Sequence, residues 1–181
     1  MAAFTILAHD TLTGTAGSWS SSGDLYPIPT TYDHLYLVAS ARSDKASSDY
    51  DMAQLTLGTL SAAAVDHSTT TLYADSATPL STKSSSDTFI SFFYVPAADV
   101  LADTFGLIKV WIPHYSNTAN FKSVVGSAAV ENNSTSNTEW LLFQNAGLKE
   151  TTEAINQVTL TLASANFVAA STFTLYGVTG A

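Results

Sequence analysis

Four histidines, His9, His34, His67 and His114, are the side chains here best suited to acid–base or metal chemistry. Three of them adjoin an aspartate, in His9-Asp10, Asp33-His34 and Asp66-His67. Neighbouring residues on a strand point to opposite faces, so within strands these pairs share no ligand geometry and read as chance adjacency. A cross-strand meeting of two histidines is the arrangement that would bring imidazoles together. No H-E-x-x-H pattern occurs, which removes the zincin signature. Three carboxylates fall within residues 44–51 (DKASSDYD), an oxygen-rich loop of the kind calcium favours, yet the spacing, central glycine and closing glutamate of an EF-hand are missing. A solvated turn is the expectation there. Neither a G-x-S-x-G elbow nor a phosphate-cradling glycine loop is present, so nucleophilic hydrolysis and nucleotide binding lose their usual marks. Acid pairs for glycoside cleavage need a set separation, and no spacing singles out any pair among the acidic residues. The expectation is a protein that is not an enzyme, with no catalytic residue, no metal and no cofactor.

Composition narrows the classes further. The chain has 181 residues, with 6 Lys and Arg against 15 Asp and Glu, a net charge of −9 and no cysteine. Disulfides, cysteine zinc sites and thiol nucleophiles are therefore excluded. Phosphate recognition needs clustered cations, so neither nucleic acid nor an anionic membrane is expected as a partner. Charged residues make up 12%, about half the usual share, while Ser and Thr supply roughly a quarter of the chain and aromatics 11%. A disordered linker would carry fewer aromatics. The first residues, MAAFTILAHD, lack the basic and apolar regions of a signal peptide, and no apolar run is long enough to span a bilayer. The expectation is synthesis in a cytoplasm without an export signal.

The elements that would position any site follow a hydrophobic period of two. Alternating or apolar runs occupy residues 4–8, 34–40, 54–58, 88–95, 107–112, 123–130, 140–143, 157–162 and 172–178, rich in β-branched and aromatic side chains. Turn-rich stretches at 14–23, 44–51, 75–87 and 132–137 separate them, and 97–103 (AADVLAD) is a candidate helical turn. The overlapping glycosylation patterns at 132–135 read as an exposed polar loop. The fold expected is all-β: one antiparallel β-sandwich or jelly roll of about nine or ten short strands, spanning 1–181 as a single domain.

The last 28 residues carry no charge. Val158, Leu160 and Leu162 would line one face of a strand and Thr159 and Thr161 the other; Phe173 and Leu175 similarly alternate with Thr172, Thr174 and Tyr176. Two readings stand open. These strands form a central hairpin whose second face meets a loop or solvent, or that face meets another subunit, since charge depletion marks interface cores. On the second reading, Thr159, Thr161, Asn166, Phe167, Thr174 and Tyr176 make the subunit contacts. Trp111 and Trp140 sit inside apolar runs and are expected in the core. Trp19 and Tyr26 lie in loop-like sequence and are the candidates for an exposed aromatic platform, although Trp19 itself reads more readily as a plug over one end of the sandwich.

The segment INQVTLTLASANFVAASTFTLYGV (155–178) resembles the ending of many structural proteins from virions of tailed bacteriophages. YDHLYLVASARS (32–43) resembles an early strand of the same proteins, with its small-residue Ser-Ala-Arg corner. This resemblance covers about a fifth of the chain and carries no catalytic motif. It implies a β-sandwich virion component, typically a homotrimer: a capsid decoration (cement) protein that stabilises a phage head by bridging major capsid protein subunits. In that setting the N-terminal residues Phe4, Ile6 and Leu7 are the expected contact with the shell. The alternative is a tail or fibre module that binds a host cell-surface glycan through Trp19 and Tyr26. Either way the implied location is the virion.

Overall fold

The computed structural model of the chain describes residues 3–22, 25–60, 66–75, 78–131 and 141–180. The strands are β1 (Ala3–Thr11), β2 (Ser18–Ser20), β3 (His34–Ala41), β4 (Tyr50–Gly58), β5 (His67–Asp75), β6 (Thr78–Asp87), β7 (Ile90–Pro96), β8 (Gly106–Pro113), β9 (Lys122–Val130), β10 (Leu141–Lys149), β11 (Gln157–Leu162) and β12 (Thr172–Thr179). They form an eight-stranded sheet in the order β1-β12-β3-β8-β9-β10-β5-β6 and a four-stranded sheet in the order β2-β11-β4-β7, with every pairing antiparallel. The chain is an all-β antiparallel sandwich. The order β1-β12-β3-β8 against β2-β11-β4-β7 is that of a jelly roll. The hairpins β5–β6 and β9–β10 are insertions that widen one sheet and leave the other narrow.

Alternation builds the core. Leu35 and Leu37 of β3, Ile108, Val110 and Ile112 of β8, and Phe173 and Leu175 of β12 face Leu55 and Leu57 of β4, Phe93 and Val95 of β7, and Val158 and Leu160 of β11, all without solvent exposure. Burying each such side chain contributes about 1.5–3 kcal/mol. At one end Trp19 stacks on Phe173, ring centroids 5.2 Å apart and nearly parallel, and Phe167 meets Phe173 edge-on at 5.0 Å. The strand β7 packs across β8, β9, β10 and β5. Beyond that cover, β6 is exposed along most of its length.

Among the described residues twelve strands stand where nine or ten were expected. The three extra ones, β2, β5 and β6, fall in stretches read as turns or left unassigned. Their inward positions carry Thr69 and Thr71 where a hydrophobic pattern would need aliphatics, and β6 has no fully buried residue. Residues 97–103 make a non-helical turn after Pro96. The expected hairpin of the last two strands is also replaced: β11 pairs with β2 and β4, β12 with β1 and β3, in opposite sheets. Trp140 and the 132–137 loop lie outside the described residues.

The sheets approach closely at Gly126, where a Cβ would sit 2.6 Å from the Phe93 ring and 2.9 Å from the Lys109 carbonyl oxygen. Gly126→Ala should therefore lower stability by ~1–3 kcal/mol in urea titrations. Gly14→Ala, at a position with nothing within 4 Å, should leave the midpoint unchanged. Equal midpoints for all three proteins would contradict this packing.

Candidate functional site

With the inward residues fixed, the register sends the remaining side chains outward in rungs that cross the wide sheet. One rung runs Ile6, Tyr176, Tyr36, Trp111, Val125 over five adjacent strands. The next runs Phe4, Val178, His34, Pro113. The rings lean on one another: Phe4 meets Tyr36 and Tyr176 edge-on at 6.0 Å, Tyr36 lies 6.3 Å from Tyr176 and 6.1 Å from Trp111, and His34 lies 5.0 Å from Trp111. Interplanar angles of 31° and 54° along the Tyr176–Tyr36–Trp111 line leave no coplanar platform for a stacked sugar. The margins of the cluster stand in solvent, with Phe4 57%, Val125 58% and Ile6 60% exposed.

The electrostatics of this face differ from those of the chain. A third rung carries His9, Thr174, Val38, Lys109, Ser127 and Gln144, and a fourth carries Thr172, Ser40, Leu107, Ala129 and Leu142. No carboxylate occupies these four outward rungs, in a protein of net charge −9. The acids on the edge strands, Asp10 and Asp87, are in register with the inward residues Phe173 and His67. Eight strands at their usual spacing and some seven residues of length make a face of roughly 900 Å². That is comparable to the ~800 Å² each partner contributes to a stable protein interface.

The structure brings some of the sequence candidates together and separates others. Phe4, Ile6, Thr174 and Tyr176 share this face. Leu7 does not: it sits at a β-bulge between Ile6 and Ala8 and packs half-buried against the core. Thr159 and Thr161 point outward from the narrow sheet on the opposite side of the sandwich, where the Thr159 hydroxyl bonds Ser20 Oγ. Asn166 is exposed at one end, its backbone N–H donating to Asp44 Oδ1 at 2.8 Å and its amide to Oδ2 at 3.2 Å. Phe167 is fully buried, so it is a core residue and not a subunit contact. Trp19 is likewise core, 4% exposed with its indole N–H on Asp10, so it offers no platform. Trp111, expected inside, points outward because Val110 and Ile112 on either side of it point in. Tyr26 is 57% exposed. It adjoins Pro27, which helps line an open, largely apolar cavity of about 760 Å³ between residues 27–30 and 153–156.

Two histidine expectations change. His34 and His114, 80 residues apart in sequence, do meet, with rings 4.8 Å apart. Asp66 and His67 also face each other, because Asp66 lies just before β5 and is not bound by strand alternation: its Oδ1 is 2.9 Å from His67 Nδ1. Lys149 Nζ lies 2.6 Å from Asp66 Oδ2, and all three residues are buried. Lys122, next to Lys149 in register and equally buried, donates to the Asn120 carbonyl at 2.7 Å, and burial pulls its ammonium below the usual lysine range. In the 44–51 loop, Asp51 is buried and accepts from Ser43 Oγ at 2.9 Å, so that carboxylate is bound to protein rather than solvated.

Burial, and then the neighbouring Lys149 charge, push the His67 imidazole below its ordinary value of 6.5. The native state thus holds fewer protons than the unfolded chain once pH falls below that value, and stability must decline with acidification. Urea midpoints should fall between about pH 7.5 and about pH 5.5 by no more than ~1.4 kcal/mol per unit from this group, and His67→Gln should flatten the decline. A slope unchanged in the variant would contradict the assignment. Compared with protein-family models and with curated proteins, the chain matches none.

Proposed function

We propose that this protein is a structural component of a tailed-phage virion that assembles through the outer face of its wide sheet, as a homotrimeric capsid decoration protein seated on the major capsid protein. The observation that carries the reading is the aromatic, carboxylate-free face: an acidic protein that leaves Phe4, Ile6 and Val125 in water on a rigid sheet gains apolar burial by covering them. The trimer and the capsid partner come from the resemblance of residues 32–43 and 155–178 to virion proteins. The mechanism is mechanical. Packaged DNA strains the joints between capsomers, and an oligomer straddling a joint adds buried interface that must be lost before the joint opens. Negative net charge keeps such a protein off the DNA.

A second reading, a fibre module for a cell-surface glycan, retains Tyr26 beside the apolar cavity but loses Trp19 to the core. A glycan-array signal abolished by Tyr26→Ala would favour it.

Sedimentation at neutral pH tests the first reading. The account expects about 57 kDa, three times the 19.1 kDa chain. Tyr36→Asp buries an unpaired charge in the contact and should weaken association ~100-fold or more. Thr161→Asp, on the other side, should leave the mass unchanged. A monomeric wild-type protein, or dissociation by Thr161→Asp and not by Tyr36→Asp, would overturn it.

A further inference from the structure

His34 closes the aromatic cluster where β8 turns toward β9, and a backbone donor fixes its state. Its Nδ1 accepts the His114 N–H at 3.1 Å, which requires an unprotonated nitrogen, because imidazolium donates from both. His114 sits at φ 47°, a left-handed conformation that a non-glycine residue holds only where its surroundings enforce it. The turn it opens is closed by the Asn117 N–H on the His114 carbonyl at 3.0 Å. The turn is anchored by Tyr115, fully buried, whose hydroxyl donates to the Pro29 carbonyl. A metal-ligand role for the pair fits poorly, since the neutral His34 ring with Nδ1 accepting carries its proton on Nε2.

The charged groups around this corner are cationic or engaged. His9 on β1 contacts the Thr174 hydroxyl at 2.8 Å through Nδ1. Lys109 of β8 lies on the neighbouring outward rung and Lys83 of β6 at the far edge. The outward positions of β12 and β9 in these rungs carry no charge. Asp33, the adjacent acid, accepts the Gly180 N–H. Among the described residues no carboxylate lies on the outward rungs of the face, and the nearest negative charge to His34 along the chain is Asp33 beside it.

We propose that His34 is a proton-operated latch on self-association. Protonation breaks the His34–His114 bond, frees the strained turn, sets two imidazolium rings 4.8 Å apart at the rim of the covered face, and drives the copies apart. The latch rests on the assembly reading given above.

Association constants from concentration series in sedimentation, at about pH 7.5 and about pH 5 where imidazoles change charge, test it. The readout is the ratio of the two constants within each protein. Wild type should lose affinity tenfold or more on acidification while keeping its far-ultraviolet circular dichroism. His34→Gln, which keeps an acceptor but cannot be charged, should collapse that ratio toward one; His67→Gln should not. A wild-type chain monomeric at the higher pH would overturn the assembly reading and the latch with it. An oligomer equally stable at both values, or a His34→Gln ratio equal to that of wild type, would overturn the latch alone. Imidazole nitrogen chemical shifts give a test independent of assembly. At the higher pH, His34 Nδ1 should be the unprotonated nitrogen, and a protonated Nδ1 would overturn the proposal.

Discussion

A strand with one face sealed into a core has no freedom over which side chains its other face presents. Ile108, Val110 and Ile112 inside put Leu107, Lys109 and Trp111 outside; Leu35 and Leu37 inside put His34, Tyr36 and Val38 outside. A one-residue slip would exchange the two sets and expose the core. The aromatic rung from Ile6 to Val125 is therefore held as firmly as the core itself, by the same register. It is a rigid surface, so covering it costs little ordering entropy in the backbone. Each apolar Å² removed from water on it returns about 25 cal/mol.

Charge placement gives that surface its direction. The acids gather in the connections at the two ends of the sandwich: Asp44, Asp49, Asp99 and Asp103 at one, Asp33, Asp66, Glu150 and Glu153 at the other. At physiological salt such charges act over about 8 Å. Copies that approach end to end repel, while copies that approach across the wide sheet meet threonine, aromatic and aliphatic groups with two lysines. On the proposed self-association, like charge at the ends and apolar area on the wide sheet favour the same contact.

The sandwich was legible wherever inward positions are aliphatic. It was illegible in β5, whose inward Thr69 and Thr71 are satisfied by polar partners: Thr71 Oγ1 donates to Asn145 Oδ1 at 2.7 Å, and the Ser91 N–H donates to Thr69 Oγ1 at 3.1 Å. A buried strand of threonines has the period of a strand without its hydrophobicity. Of the two tryptophans, Trp19 takes the plug position that was one of its two readings, whereas Trp111 leaves the core expected for it. Trp19 sits among serines and glycines yet caps the core, and Trp111 sits in LIKVWI yet points out, since strict alternation decides and neighbourhood does not. Of the residues on the outer face, the outward setting of Thr174 and Tyr176 is legible from alternation, and Phe4 and Ile6 lie in the first apolar run. Thr159 and Thr161 do not share a face with Thr174 and Tyr176, because the jelly roll sends the chain neighbours β11 and β12 to opposite layers. The His34–His114 contact depends on β3 pairing with β8, which no local pattern announces.

The cysteine-free chain allows the central claim to be tested one thiol at a time. Val125→Cys would place a thiol on the aromatic rung and Leu101→Cys one on an end loop, at positions 58% and 63% exposed in the single chain. The measurement is the rate of maleimide labelling of each variant at a concentration where the protein is assembled. If the outer face of the wide sheet is the contact, the thiol at 125 should react at least ~10-fold more slowly than the thiol at 101, and the gap should close on dilution as mass action demands. Equal rates at every concentration would contradict the account and leave that face open to solvent.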